Sequence, residues 1–294
     1  MIRGLYTAAA GMVAQQRRHD TVTQNIANLN TTGYKQVESV VRSFPEMLLS
    51  RSGDASASGN TIIGRLNTGV FAEESMFSNV QGDLTASEKA TDFALYSDLN
   101  VEDPNTGEFI SFDASGKYIS DNGEVIYKPQ AFFTVQDNEG NVRYTRDGSF
   151  QVDAQGRLLS STGFEVLSDN GEPIRLTGPL NQFKVDEQGR LVDPLTGNNT
   201  GVNLGITVVD NPYQLVREGN GNYVLDEAST GLARALGAED RVQVKQGFLE
   251  RSTVDPAQSM VDLTAALRAY EANQKVIQFY DKSLEKAVNE IGRV

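Results

Sequence analysis

Residues 131–158 read AFFTVQDNEGNVRYTRDGSFQVDAQGRL, and their pattern decides the middle of the molecule. Ala131-Phe-Phe-Thr-Val135 and Phe150-Gln-Val152 are β-prone runs. After each run comes the same form, Asp-x-x-Gly followed by a polar and then an apolar residue: Asp137-Asn-Glu-Gly140-Asn-Val142 and Asp153-Ala-Gln-Gly156-Arg-Leu158. Asp opens a type I turn with its side chain, and Gly takes the left-handed position that closes a bulged hairpin. The form recurs outward at Asp113-Ala-Ser-Gly116-Lys-Tyr118 and at Asp186-Glu-Gln-Gly189-Arg-Leu191, the latter after Phe183-Lys-Val185. Asn122-Gly123 and Asn170-Gly171 are further turn signals. Short strands at this spacing predict an all-β barrel or sandwich over residues 71–235.

Further outward, both ends of the chain read as helices with seven-residue spacing. The first seam is Ile2, Leu5, Ala9, Met12, Gln16, His19, Thr23 and Ile26. The last is Met260, Leu263, Leu267, Tyr270, Gln274, Ile277, Asp281, Leu284, Val288 and Ile291. Alternating steps of three and four keep a narrow stripe facing a partner helix. Asp255-Pro256 reads as cap and first-turn residue of the last helix, and the first should end near Asn28–Asn30. Polar residues interrupt both stripes, and each helix alone is marginal in water. Two arrangements follow: an antiparallel pair within the chain, or ends that order against other subunits. The fold class is thus α+β, with heptad-patterned terminal helices forming a coiled-coil-like core around a central all-β domain. The expected division is 1–35 with 255–294 as the helical core, 36–70 with 236–254 as connection, and 71–235 as β domain. Within the connection, Phe44–Leu49 reads as a short helical or extended piece and Ser50–Asn60 as a flexible loop.

The 294 residues contain no Cys, so disulfides, thiolate catalysis and Cys-based zinc sites are excluded. The single histidine, His19, rules out a multi-histidine metal site. The net charge of −13 is concentrated in the middle: residues 71–240 hold 28 acidic against 11 basic side chains. An acidic centre disfavours nucleic acid and anionic membrane surfaces as partners. No run of 18 apolar residues exists to span a bilayer. The first residues are expected to be mature sequence, since Gly4, Tyr6, Thr7 and Gly11 interrupt any apolar core of a signal peptide.

Catalytic and cofactor readings fare poorly. A calcium loop of the EF-hand kind needs about six oxygen ligands with Asp at alternating positions and a distal Glu, and no Asp-x-x-Gly segment supplies them. Gly59-Asn-Thr-Ile-Ile-Gly64-Arg65 has the glycine spacing of a phosphate loop without its Lys and Ser/Thr. A glycosidase needs two placed carboxylates, and with no Trp the chain shows no aromatic-lined cleft pattern. No catalytic, cofactor-binding or metal-binding residues are expected, and no cofactor.

Residues 25–35, Asn25-Ile-Ala-Asn28-Leu-Asn-Thr31-Thr-Gly33-Tyr34-Lys35, resemble the signature of the flagellar rod and hook family. Tyr144-Thr-Arg-Asp-Gly-Ser-Phe150, Gln246-Gly-Phe-Leu-Glu250-Arg-Ser252 and Arg268-Ala-Tyr-Glu-Ala-Asn273 are similar to three further segments of that family, in order. The chain departs from the pattern between Thr91-Asp-Phe-Ala-Leu95 and Ala131-Phe-Phe-Thr-Val135, where residues 97–130 read as an insertion.

The resemblance implies a structural subunit of the flagellar rod in the basal body, outside the cytoplasmic membrane, and not an enzyme. It implies export by the flagellar secretion apparatus and helical assembly through the terminal helices, with the β domain outward. The partners would be other copies and other axial subunits, with ring proteins or cell wall at the outer face. The implied assembly residues are Leu5, Met12, Ile26, Asn28, Thr31, Gly33, Tyr34, Leu263, Leu267, Tyr270, Asn273, Ile277 and Leu284. A hook subunit shares this architecture. A secreted β-rich binding module is the reading from a different class.

Overall fold

The computed structural model describes residues 2–51, 61–99, 101–103, 107–113, 116–120, 122–176, 178, 182–193, 197, 199–226, 231–237 and 240–291. Helix α1 (Ile2–Ala27) and helix α2 (Pro256–Lys286) flank a long run of strands, so the chain is α+β. Contacts divide it into two units: a helical unit of Met1–Ala27, Val37–Met76 and Asp255–Val294, and a β unit of Asn28–Gln36 and Phe77–Val254. From Val37 onward, the expected connector 36–70 contributes strands to the helical unit. Residues 236–254 carry strands Val242–Gln246 and Phe248–Glu250 of the β unit.

In the helical unit, α2 starts where the sequence places it. The Asp255 carboxylate accepts from the backbone N–H of Ala257 (2.8 Å) and Gln258 (3.1 Å), with Pro256 in the first turn. The two helices run antiparallel: Gly4 abuts Tyr280, Gly11 abuts Asn273, and Arg18 Nη2 donates to Asp262 Oδ1 at 2.7 Å. The other side of α1 rests on strand Val70–Ala72, which pairs with Val41–Ser43. Phe44 lies between strands and Met47–Arg51 is extended, pairing with Thr61–Leu66 in a second hairpin. Most of the expected loop at 50–60 lies outside the described residues.

Strand Gln130–Gln136 organises the β unit. It pairs with Val142–Thr145 on one side and with Ile206–Val209 and Glu165–Val166 on the other, within a nine-stranded antiparallel sheet. Strand side chains alternate between faces, and here both faces are covered. Ala131, Phe133 and Val135 enter a core with Phe93, Phe150, Val166 and Val208. Phe132 enters a second core with Tyr144, Leu215 and Tyr223. Burying a side chain such as Phe133 stabilises by about 1.5–3 kcal/mol.

The Asp-x-x-Gly forms are hairpin turns. At Asp137, Asp153 and Asp186, the Asp carbonyl accepts from the Gly N–H three residues on. In each, Oδ1 also accepts from the residue after the Gly at 2.8 Å. Gly140, Gly156 and Gly189 sit at φ of +90°, +79° and +81°, where a Cβ is costly. At Asp113 the closing bonds from Gly116 and Lys117 are the same, while residues 114 and 115 lie outside the described set. The Asn122-Gly123 and Asn170-Gly171 signals belong to a Ser-opened version, beginning at Ser120 and Ser168 and repeated at Ser160.

Candidate functional site

The segments that carry the resemblance fold into two constructions, one in each unit. In the helical unit the buried Asn25 amide mimics a strand partner: Oδ1 accepts from Val37 N–H (3.0 Å), and Nδ2 donates to Val37 C=O (2.7 Å). Asn273 faces Gly11 across the helix pair, where even a methyl group on residue 11 would lie 3.1 Å from its Nδ2.

In the β unit, three segments meet at a buried ion cluster. Lys35 Nζ donates to Glu250 Oε1 (2.7 Å) and to the Val80 carbonyl (2.6 Å). Arg146 Nε donates to Glu250 Oε2 (2.8 Å), while its other nitrogens reach the Ala131 carbonyl and Gln81 Oε1, each at 2.6 Å. Gly82 N–H gives Oε1 a second donor at 2.8 Å. All three charged side chains are at most 2% exposed. Burial drives the Lys35 ammonium down to about 8, a shift that Glu250 opposes and Arg146 reinforces. Burial pushes the Glu250 carboxyl up, but Arg146 and Lys35 together outweigh it and hold the group below its ordinary value.

Around Lys35 the chain is stitched down residue by residue. Gly33 N–H donates to the Glu250 carbonyl (2.9 Å), and Gly33 itself, at φ +66°, lies so close to Arg146 that a Cβ would come within 2.8 Å of its backbone. The Arg217 guanidinium lies 4.6 Å from the Tyr34 ring centre and donates to the Lys35 carbonyl at 2.6 Å. Burial raises the Tyr34 hydroxyl pKa against the lowering effect of Arg217. Gln36 N–H reaches Thr253 Oγ1 at 2.8 Å, and Thr253 N–H reaches the Tyr34 carbonyl at 3.1 Å.

The expected assembly residues therefore scatter. Gly33 and Tyr34 are buried in the β unit. Asn28 and Thr31 form the turn ahead of them, with Thr31 Oγ1 donating to Asn28 Oδ1 at 3.1 Å. Leu5, Met12 and Ile26 on α1, and Leu263, Tyr270, Asn273, Ile277 and Leu284 on α2, are half-buried in the helical unit. Leu267 is exposed.

The seam of α2 is a correction to the expected one. Leu263, Tyr270, Ile277 and Leu284 hold their places, but the alternate positions shift back by one residue, to Ser259, Ala266, Asn273 and Tyr280. On α1, Gly4, Gly11 and Arg18 face α2, whereas Gln16 and Thr23 of the expected stripe are exposed. Small side chains set the closest approach of the two helices. Large apolar side chains are left outside: Met260 (60% exposed), Val261, Leu267, Val276 and Phe279 (70%) on α2, and Tyr6 and Val13 on α1.

The charged cluster was not anticipated. Lys35, Arg146 and Glu250 each stand in a segment quoted for the resemblance, but a Lys, an Arg and a Glu separated by more than 100 residues carry no local signal of burial.

Comparison with known proteins covers the same segments. Residues 5–35 match the family model described as flagella basal body rod protein. Residues 128–216 match that of the flagellar hook protein FlgE/F/G D1 domain, and residues 245–290 that of the flagellar basal body rod FlgEFG protein C-terminal. Lys35, Arg146 and Glu250 fall one in each match. The chain is 35% identical to the flagellar hook-basal body complex protein FlhO of Bacillus subtilis, over the whole of both chains. It is 30% identical to the flagellar basal-body rod protein FlgG of Borreliella burgdorferi over 98% of each, and 26% identical to FlgG of Bacillus subtilis over 98% of this chain and 99% of that one.

Proposed function

Because the chain belongs to the flagellar basal-body rod and hook family, we propose that it is a structural subunit of the bacterial flagellar rod, working in the basal body within the cell envelope. It assembles helically with copies of itself and with other axial subunits, forming a tube that transmits torque to the hook. Its role is mechanical, with no catalysis.

The observation that carries this reading is the outer surface of the terminal helices. The α1–α2 pair packs a seam in which Leu263, Tyr270 and Ile277 alternate with Ser259, Ala266 and Asn273, and leaves Met260, Leu267, Val276 and Phe279 bare along α2. Exposed apolar surface of this kind marks an interaction site. Helices of neighbouring subunits cover it and complete a coiled-coil-like inner wall built on Leu5, Met12, Leu263, Tyr270, Ile277 and Leu284. Head-to-tail contacts that do not close on themselves propagate as a helix. The β unit faces outward with the 97–130 insertion on its outer surface, toward ring proteins or cell wall. Among the described residues no helix is long and apolar enough to cross a membrane, and delivery across the cytoplasmic membrane falls to the flagellar export apparatus.

Deleting the gene and imaging the cells, with a complementing copy as control, tests the proposal. Loss of hook and filament, restored by the copy, is expected. An intact hook without filament would move the subunit to a junction role, and normal flagella with normal swimming would overturn the reading.

A further inference from the structure

The ion cluster joins parts of the β unit that come from opposite ends of its sequence. Residues 28–36 directly follow α1, and Glu250 stands six residues before Pro256, where α2 begins. Between them in the sequence lie Gln81 and Gly82, adjacent in the loop before strand Leu84–Ala86, and Arg146, just after strand Val142–Thr145. One carboxylate takes Lys35 and Gly82 on Oε1 and Arg146 on Oε2, and Gln81 is held through Arg146. Without Glu250, the site would bring two cations together in a space at most 2% open to water. Buried like charges of this kind are strongly unfavourable.

Residues 28–36, the strap, are held at this seat and at further points: Thr32 Oγ1 donates to Asp147, Arg217 donates to the Lys35 carbonyl and covers the Tyr34 ring, and Ser78 N–H donates to the Gln36 carbonyl. Gly33 bonds to the Glu250 carbonyl, and Gln36 bonds to Thr253, three residues further along the same segment. The two aromatic cores of the β unit, by contrast, are built without Lys35 or Glu250.

From this geometry we infer that Lys35, Glu250 and Arg146 form a closure lock: residues 28–36 dock on the β unit only when the Glu250 strand is in place, which fixes the root of α1 beside the root of α2. The β cores form independently of the lock. In a chain made from its N-terminus, the segment after α1 stays undocked until Glu250 has been made, 215 residues after Lys35. The inference does not depend on what the helices assemble with.

Amide hydrogen exchange on the full chain tests it, reading residues 33–36 and 130–136 separately. In Glu250→Gln, protection at Gly33 and Gln36 is expected to fall roughly 100-fold while the central strand keeps its own. Adding Lys35→Met to that variant removes one of the two cations and is expected to restore most of the lost protection, the signature of an electrostatic cause. Unchanged protection at residues 33–36 in Glu250→Gln overturns the lock. Equal loss across 130–136 overturns it too, because the cluster would then be an inseparable part of the core. Failure of Lys35→Met to rescue also counts against it.

Discussion

Glu250 and Lys35 shift in ways that make opposite ends of the pH scale informative. The Glu250 carboxyl is held below its ordinary value in the folded chain. Its contribution to stability is therefore complete above the unfolded value near 4.5 and is lost as pH falls through the folded one. Lys35 is lowered to about 8 from 10.5, so between those values the unfolded chain holds more protons than the folded one. Stability then rises with pH across that window, and the cost of keeping a buried ammonium is fully present below it. In denaturant titrations, the wild type should gain on the order of 1–3 kcal/mol relative to Lys35→Met between pH 8 and pH 10.5. A flat difference across that range would show that Lys35 is not held as a buried cation.

At the scale of elements, the helix pair explains why bulk hydrophobicity misplaces half of a seam. Closest packing goes to Gly4, Gly11, Ser259 and Ala266, because residues without bulk let two backbones approach while Tyr280 and Asn273 fill the space above the glycines. The larger apolar residues are then free to face outward. Two substitutions separate these roles. Gly11→Leu forces a side chain against Asn273 and should destabilise the pair by about 1–3 kcal/mol, read as earlier loss of helical circular dichroism on heating. Phe279→Asp, 70% exposed, should leave that melt unchanged and abolish assembly, read as cells without hook or filament. Assembly that survives Phe279→Asp would remove the outer face of α2 from the interface.

At the scale of the whole molecule, the helical unit is discontinuous in sequence and the β unit nearly continuous, since only residues 37–76 interrupt it. The β unit contains both aromatic cores and every member of the ion cluster. A fragment of residues 28–254 should therefore unfold in one cooperative transition and keep the strap protected, with no contribution from either terminal helix. A fragment that gave no cooperative transition would show that the β unit depends on the helices for its fold.

Much of this was legible in the sequence because it is encoded locally. A hairpin turn needs an Asp side chain and a left-handed Gly a few residues apart, so the Asp-x-x-Gly forms announce themselves, as does the Asp255-Pro256 start of α2. Helical periodicity likewise revealed two terminal helices, and the order of the motifs placed the chain in its family. What the sequence could not determine depends on partners distant along the chain. Which positions of a helix face its neighbour is settled by the fit of two surfaces, which favoured small residues over large ones. The union of Lys35, Arg146 and Glu250 exists only once the β unit has folded, because three exposed-type side chains become buried charges only when tertiary structure removes their water and supplies each with an opposite charge.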